Sequence, residues 1–185
     1  MHLKGSRLAL ALVLLLAPWS AIAEEIMIER FEDRPETRWR FFTDRVMGGV
    51  SSGQVAFTRE GAQTHAAMRG QVSTANNGGF IQIRADLPGG APPEAKGVRL
   101  VVRGNNQPYY VHIRTRGTRL PWQYYQARFD VTGNWAEIRL PFKEFKRSGR
   151  LISASLEAEN LRTVGLVAYG RDHDAELDIR EVGFY

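Results

Sequence analysis

Tyr109-Tyr110-Val111-His112-Ile113-Arg114-Thr115-Arg116 decides the fold class. Successive side chains of an extended chain point to opposite faces. Tyr109, Val111 and Ile113 therefore share one side, and Tyr110, His112, Arg114 and Arg116 share the other. One apolar and one polar face is the mark of an antiparallel sheet packed on a core on one side and open on the other. The pattern repeats nearby. In Trp122–Phe129, Tyr125, Ala127 and Phe129 oppose Trp122, Tyr124, Gln126 and Arg128. In Val98–Arg103, Val98, Leu100 and Val102 oppose Arg99, Val101 and Arg103. In Trp135–Leu140, Ala136, Ile138 and Leu140 oppose Trp135, Glu137 and Arg139.

Outward from this centre the chain reads as β in both directions. Segments rich in β-branched and aromatic residues recur between turn signals: Ile26–Phe31, Trp39–Phe42, Gln54–Thr58, His65–Val72, Gly79–Ala85, Thr163–Tyr169 and Glu176–Phe184. Together with the four central segments, these short strands predict an all-β sandwich or jelly roll. Helix signals are confined to Phe142–Arg147 and Ser153–Asn160, each long enough for a turn or two. Pro88-Gly89-Gly90-Ala91-Pro92-Pro93 reads as a long connection inside the sandwich, because the residues before it make a poor independent β domain. A single domain over residues 24–185 is expected.

Residues 1–23 form a segment of another kind. Lys4 and Arg7 give a positive start, Leu8–Ala17 is an apolar run, and Ala21-Ile22-Ala23 fits a small-x-small cleavage site. This is the anatomy of a secretory signal peptide, too short to span a bilayer comfortably. Its removal takes away two positive charges from a formal net charge of +5. Export to the periplasm or outside the cell follows as the expectation, with no transmembrane segment in the mature chain. The chain has no cysteine. Disulfides, Cys-based zinc sites, iron–sulfur clusters and thiol nucleophiles are therefore excluded, and the core must hold the fold unaided.

Familiar catalytic and cofactor patterns do not fit their contexts. Gly49-Val50-Ser51-Ser52-Gly53 matches G-x-S-x-G, but a strand-like segment follows where a nucleophile elbow needs a helix. His65, His112 and His173 are far apart, so no metal site is expected from them. Asp172, Asp174, Glu176 and Asp178 alternate along an extended segment; oxygen clusters of this kind suit calcium, while Arg171 and Arg180 are ready counter-charges. No phosphate loop or dinucleotide fingerprint occurs, and no cofactor is expected. The arginines are too scattered for a nucleic-acid footprint. Their tightest run, Arg114, Arg116 and Arg119, suits carboxylate, sulfate or phosphate groups or a solvated hairpin end. The polar sheet face is the candidate contact surface for a glycan or a protein partner. Tyr110, His112, Arg114, Trp122, Tyr124, Gln126 and Arg128 combine flat rings, which stack on sugars, with forked and amide donors that fix polar substituents.

At Asp44-Arg45-Val46-Met47-Gly48-Gly49-Val50-Ser51 the chain resembles the complex I intermediate-associated protein 30 family. Further segments match in order: Asn76-Asn77-Gly78-Gly79-Phe80, Val98 to Gly104, Tyr125-Gln126-Ala127-Arg128-Phe129, Trp135 through Pro141-Phe142 to Phe145, and Val164-Gly165-Leu166. The resemblance spans about Phe31 to Phe184 and implies a galactose-binding-like jelly-roll sandwich without catalysis. Its signature residues, Asp44, Met47, Gly48, Gly49, Ser51, Asn77, Gly78, Gly79, Trp135, Pro141 and Phe142, read as architectural. The glycines permit positive φ or close approach, Asp44 accepts backbone N–H groups, and the aromatics offer apolar area. Two departures stand out. Asn105 replaces the acidic residue the family usually carries after Arg103-Gly104. The family's mitochondrial member helps assemble respiratory complex I inside the organelle, whereas a secretory signal sends this chain across a membrane. The expected role is an assembly or scaffold factor for envelope proteins. Carbohydrate binding by the aromatic and arginine face, or hydrolysis by unidentified acidic residues, stand as alternatives.

Overall fold

The computed structural model describes residues 26–185, so the expectation for residues 1–23 lies outside the described residues. Twelve strands follow one another: β1 Ile26–Glu29, β2 Trp39–Thr43, β3 Ser52–Glu60, β4 Gln63–Val72, β5 Phe80–Asp86, β6 Gly97–Gly104, β7 Pro108–Thr115, β8 Tyr125–Asp130, β9 Ala136–Pro141, β10 Lys146–Arg147, β11 Leu161–Tyr169 and β12 His173–Phe184. Only short 3₁₀ turns interrupt them among the described residues, and none of their helices is long and apolar enough to cross a membrane.

The strands form two antiparallel sheets packed as a jelly-roll sandwich. One runs β3-β4-β12-β6-β9, with β1 also on β12; the other runs β10-β8-β7-β11-β5-β2. Each inner face is the apolar face that alternation predicts. Val98, Leu100 and Val102 face Tyr109, Val111, Ile113, Val164 and Leu166, all at most 1% exposed. In β12 the inward set switches parity, from Ala175, Leu177 and Ile179 to Val182 and Phe184. A bulge at Arg180 makes the switch: Ile179 and Glu181 pair with the consecutive residues Val102 and Val101. The inserted residue lets a long strand bury side chains on both sides of a bend.

Where chemistry departs from alternation, the elements shift. The expected strand Trp122–Phe129 begins only at Tyr125, because Pro121 and Trp122 form a turn. The side-chain oxygen of Gln123 accepts from the N–H groups of Arg119 (2.8 Å) and Leu120 (3.0 Å), closing that turn. The segment Phe142–Arg147 holds one 3₁₀ turn, Phe142–Glu144, and then the two-residue edge strand β10, which alternation is too short to reveal. In Ser153–Asn160 only Ala158–Asn160 turns. The Pro88–Pro93 stretch carries the chain from β5 in one sheet to β6 in the other, with Leu87, Ala91 and Ala95 anchored in the core.

Candidate functional site

The outer face of the β11 sheet opens into a cleft of about 620 Å³. Strand register sets its floor. Thr163, Gly165 and Tyr169 of β11 lie opposite Asp86, Arg84 and Phe80 of β5, and Thr163 and Gly165 lie opposite Arg114 and His112 of β7. Gly165 puts no side chain between Arg84 and His112, and the Gln82 side chain fills the space a Cβ there would take. Beside it stands an aromatic group. The His112 ring stacks on Tyr124 with centroids 4.2 Å apart and 12° between planes. It meets Tyr169 edge-on at 5.3 Å, and the Tyr124 hydroxyl donates to that of Tyr169 at 3.1 Å.

Burial lowers the pKa of His112 to about 4, and the Gln126 side chain offsets this only in part. The ring is therefore neutral at neutral pH. Burial first, and then the bond to Tyr169, pushes the Tyr124 phenol above its ordinary range. The stacked pair His112 and Tyr124 is thus uncharged, as suits stacking. Around it, Arg84 Nε, Arg114 Nε and Thr163 Oγ1 are buried without a hydrogen-bond partner. Buried polar atoms are normally paired. Arg84, Arg114 and Thr163 thus keep unpaired polar atoms along this floor; on the β12 side His65 Nδ1, Trp135 Nε1, His173 Nε2 and Arg180 Nε are likewise unpaired.

Two walls rise from this floor. One is the turn Pro121-Trp122, whose indole is 66% exposed. The other is the 3₁₀ turn Asp44–Met47, and here the sequence signature acquires a physical role. Asp44 is fully buried and accepts from Ser51 N (3.0 Å), Ser51 Oγ (2.5 Å), Gly79 N (2.5 Å) and Phe80 N (3.2 Å). Burial works against its charge, but the Ser51, Gly79 and Phe80 hydrogen bonds outweigh it and hold the carboxyl below its usual range. One carboxylate thereby clips the Asp44–Ser51 loop to the Asn77–Phe80 loop. A Cβ on Gly49 or Gly78 would strike that carboxylate, whereas Gly48 (φ 91°) and Gly79 (φ 127°) meet the other requirement, positive φ. The clip leaves Val46 and Met47 pointing out, 72% and 61% exposed, beside Asn77 and Gly78 at the cleft edge.

Of the seven residues taken from the polar face, His112, Arg114, Trp122 and Tyr124 line the cleft. Tyr110 stands beside it, edge-on to Tyr169 and His112. Gln126 is the β8 partner of His112 in register. Arg128 corrects the expectation: it is exposed and spent on Asp130 at 2.8 Å, outside the cleft. Ser51 Oγ is buried between Asp44 and Ser73, which accounts for its place in the motif. Of the signature read as architectural, Met47, Asn77 and Gly78 also line the cleft. Val46, Phe42, Gln82 and Tyr169 join them without having been singled out; exposure of an apolar loop residue leaves no local mark in the sequence.

The remaining signature lies on the other sheet. The Trp135 ring is held between the guanidinium groups of Arg103 (4.4 Å) and Arg180 (3.9 Å), with His65 at its edge, so it does not supply core area. Pro141 ends β9, and Phe142 packs on Phe145 and Phe184. Two carboxylates of the acidic run are held by neighbours, and Asp174 and Glu176 face solvent. Asp178 pairs with Arg69 (2.5 Å) and Arg103 (2.8 Å), and Asp172 accepts from Thr74 N and Oγ1. Asn105, at the family's acidic position, accepts from the Tyr109 hydroxyl at 2.7 Å and donates to Asp174 O at 2.9 Å.

Comparison with known proteins now has a geometry to meet. The family model for complex I intermediate-associated protein 30 matches residues 30–179. Among solved structures, a family 11 carbohydrate-binding module from Clostridium thermocellum, in complex with a β-1,3-1,4-mixed-linked tetrasaccharide, superposes with TM-score 0.71 at 14% identity over 86% of this chain and 94% of that one. The family 11 module of the cellulosomal cellulase Lic26A-Cel5E from the same organism gives TM-score 0.70 at 13% identity, over 87% and 94%. A family 30 carbohydrate-binding module of a Clostridium thermocellum cellulosomal cellulase gives 0.53 at 8%, over 74% and 90%. No curated protein matches. At such identities these likenesses speak for the jelly-roll fold alone.

Proposed function

From a chain that belongs to the complex I intermediate-associated protein 30 family, we propose a non-catalytic binding protein whose cleft receives a saccharide. One observation carries the reading: an open cleft with an exposed indole on one wall, a neutral His112–Tyr124 stack beside Tyr169 in its floor, and buried polar atoms left unpaired around them. Sugar rings offer apolar faces to aromatic planes and hydroxyls to unpaired donors and acceptors. The fold shared with carbohydrate-binding modules supports the reading. A glycan array with the wild type and Trp122→Ala tests it. Binding that the variant loses, with stability changed by less than about 0.5 kcal/mol for an exposed side chain, is the expected result; no binding to any glycan overturns it.

A second reading, an assembly or scaffold factor for envelope proteins, draws on the family and on the exposed Val46 and Met47. An envelope partner released by Val46→Ser with Met47→Ser is the expected result; the absence of any reproducible partner sinks it. Both readings put the protein in the periplasm or outside the cell after loss of residues 1–23. N-terminal sequencing of the product checks this: Glu24 as first residue supports export, and an intact Met1 contradicts it.

A further inference from the structure

Next to the cleft, and sharing Arg84, Arg114 and Thr163 with it, lies a second hollow of about 550 Å³. Arg40, Arg84, Arg114, Arg116 and Arg162 line it, against one carboxylate, Asp86. They come from β2, β5, β7, β11 and the turn after β7, so register alone brings them together: Arg40 faces Arg84, and Thr163 faces both Asp86 and Arg114.

The charges are poorly compensated. Asp86 is engaged by Arg40 at 2.6 Å. Arg84 has the Phe42 ring 4.6 Å from its Cζ, and Arg114 donates to the carbonyls of Thr118 and Leu120. Among the described residues, Arg84, Arg114, Arg116 and Arg162 form no ion pair with a carboxylate, and the Nε atoms of Arg84 and Arg114 are buried without a partner. Burial, then the like charges around them, draws Arg84 and Arg114 below the ordinary guanidinium range. Gathering cations and withholding counter-charges costs stability. A guanidinium fork fits a carboxylate or sulfate through two parallel N–H donors, and an anion in this hollow would relieve both the repulsion and the unpaired Nε groups.

We propose that the ligand is an acidic saccharide, its ring held in the cleft between Trp122 and the His112–Tyr124 stack and its carboxylate or sulfate held in the arginine hollow. This rests on the saccharide reading of the cleft and narrows it to anionic sugars. Carboxylate and sulfate are alternative bearers of the same chemistry, and the test separates them.

The test is a panel of oligosaccharides in matched charged and neutral forms: hexuronates with their methyl esters, and sulfated galactans with their desulfated counterparts. Affinity is measured by calorimetry for the full mature chain. The charged member of at least one pair should bind about tenfold tighter or more than its neutral match. Arg116→Gln with Arg162→Gln, both exposed in the wild type and so harmless to the core, should lose about tenfold in affinity for the charged member and nothing for the neutral one. Arg119→Gln removes an arginine outside the hollow and should change affinity less than about twofold. Equal binding of charged and neutral members overturns this inference and leaves the saccharide reading standing. Binding of every polyanion that survives Trp122→Ala also overturns it, since the hollow would then act as a non-specific anion patch. Absence of any binding across the panel overturns both readings.

Discussion

The outer faces of the two sheets carry the same residue types in opposite states. On the β12 sheet every conspicuous arginine is answered. Arg69 and Arg103 share Asp178, Arg103 and Arg180 reach Glu60, Arg99 pairs with Glu137 and Glu181, and Trp135 is roofed by two guanidinium groups. On the β11 sheet Arg84, Arg114, Arg116 and Arg162 form no ion pair among the described residues, Asp86 being engaged by Arg40, and Trp122 stands in solvent. The difference lies in the charges: arginines of the β12 sheet meet carboxylates, and those of the β11 hollow largely do not, although each side keeps unpaired buried polar atoms. An arginine count does not distinguish them. The positions of the carboxylates do.

The comparison can be broken most forcefully at the clip that holds the open face in shape. Asp44→Asn offers one acceptor oxygen and turns an amide NH₂ toward donors, so it should cost about 3 kcal/mol by denaturant unfolding. An undiminished midpoint would show that the wall stands without the clip. Acid should act next. His112 has its pKa lowered to about 4 by burial, so its contribution is complete above the unfolded value and is lost as pH falls through the folded one. Stability should decline by about 3 kcal/mol between about pH 6.5 and pH 4. His65 and His173, also lowered chiefly by burial, add to the decline. His112→Phe should flatten most of it, as read by melting temperature against pH. Asp44 enters only at the acid end of that window: its folded carboxyl is held below its usual range, so its contribution is lost as pH falls through the ordinary carboxylate range and below.

Smaller effects should differ in sign between the faces. On the closed face, Asp178→Ala strands Arg69 and Arg103 and should cost about 2 kcal/mol, moderated because both guanidinium ends reach water. On the open face, Arg84→Met removes a cation that repels its neighbours and should raise stability by up to about 1 kcal/mol, limited by loss of the Phe42 contact. If both variants destabilise alike, the distinction between the faces fails.

Much of this was legible before any coordinates. Alternation in four central segments, and β-branched and aromatic runs between turn signals elsewhere, located eleven strands, and the period of two survives even where a bulge shifts it, as at Arg180. It failed at Trp122, where an aromatic at the right spacing sits on a turn that Pro121 and Gln123 build. The site was legible in half. His112 and Tyr124 sit on neighbouring segments with clear polarity. The arginine hollow was legible in part: Arg114 and Arg116 of the sequence run line it and Arg119 does not, whereas strand register adds Arg40, Arg84 and Arg162. Val46 and Met47 carried no local signal either; only a carboxylate buried beneath them turns two apolar loop residues into an exposed wall.

That carboxylate also governs how the protein can diverge. A side chain at Gly49 or Gly78 collides with Asp44, and loss of Asp44 strands the N–H groups of Ser51, Gly79 and Phe80. None of the three positions can drift alone, so they are inherited as one unit. Val46 and Met47, borne on the same turn but facing out, are under no such bond. Two exposed side chains can therefore be exchanged to reshape this wall of the cleft while the clip that presents them stays fixed.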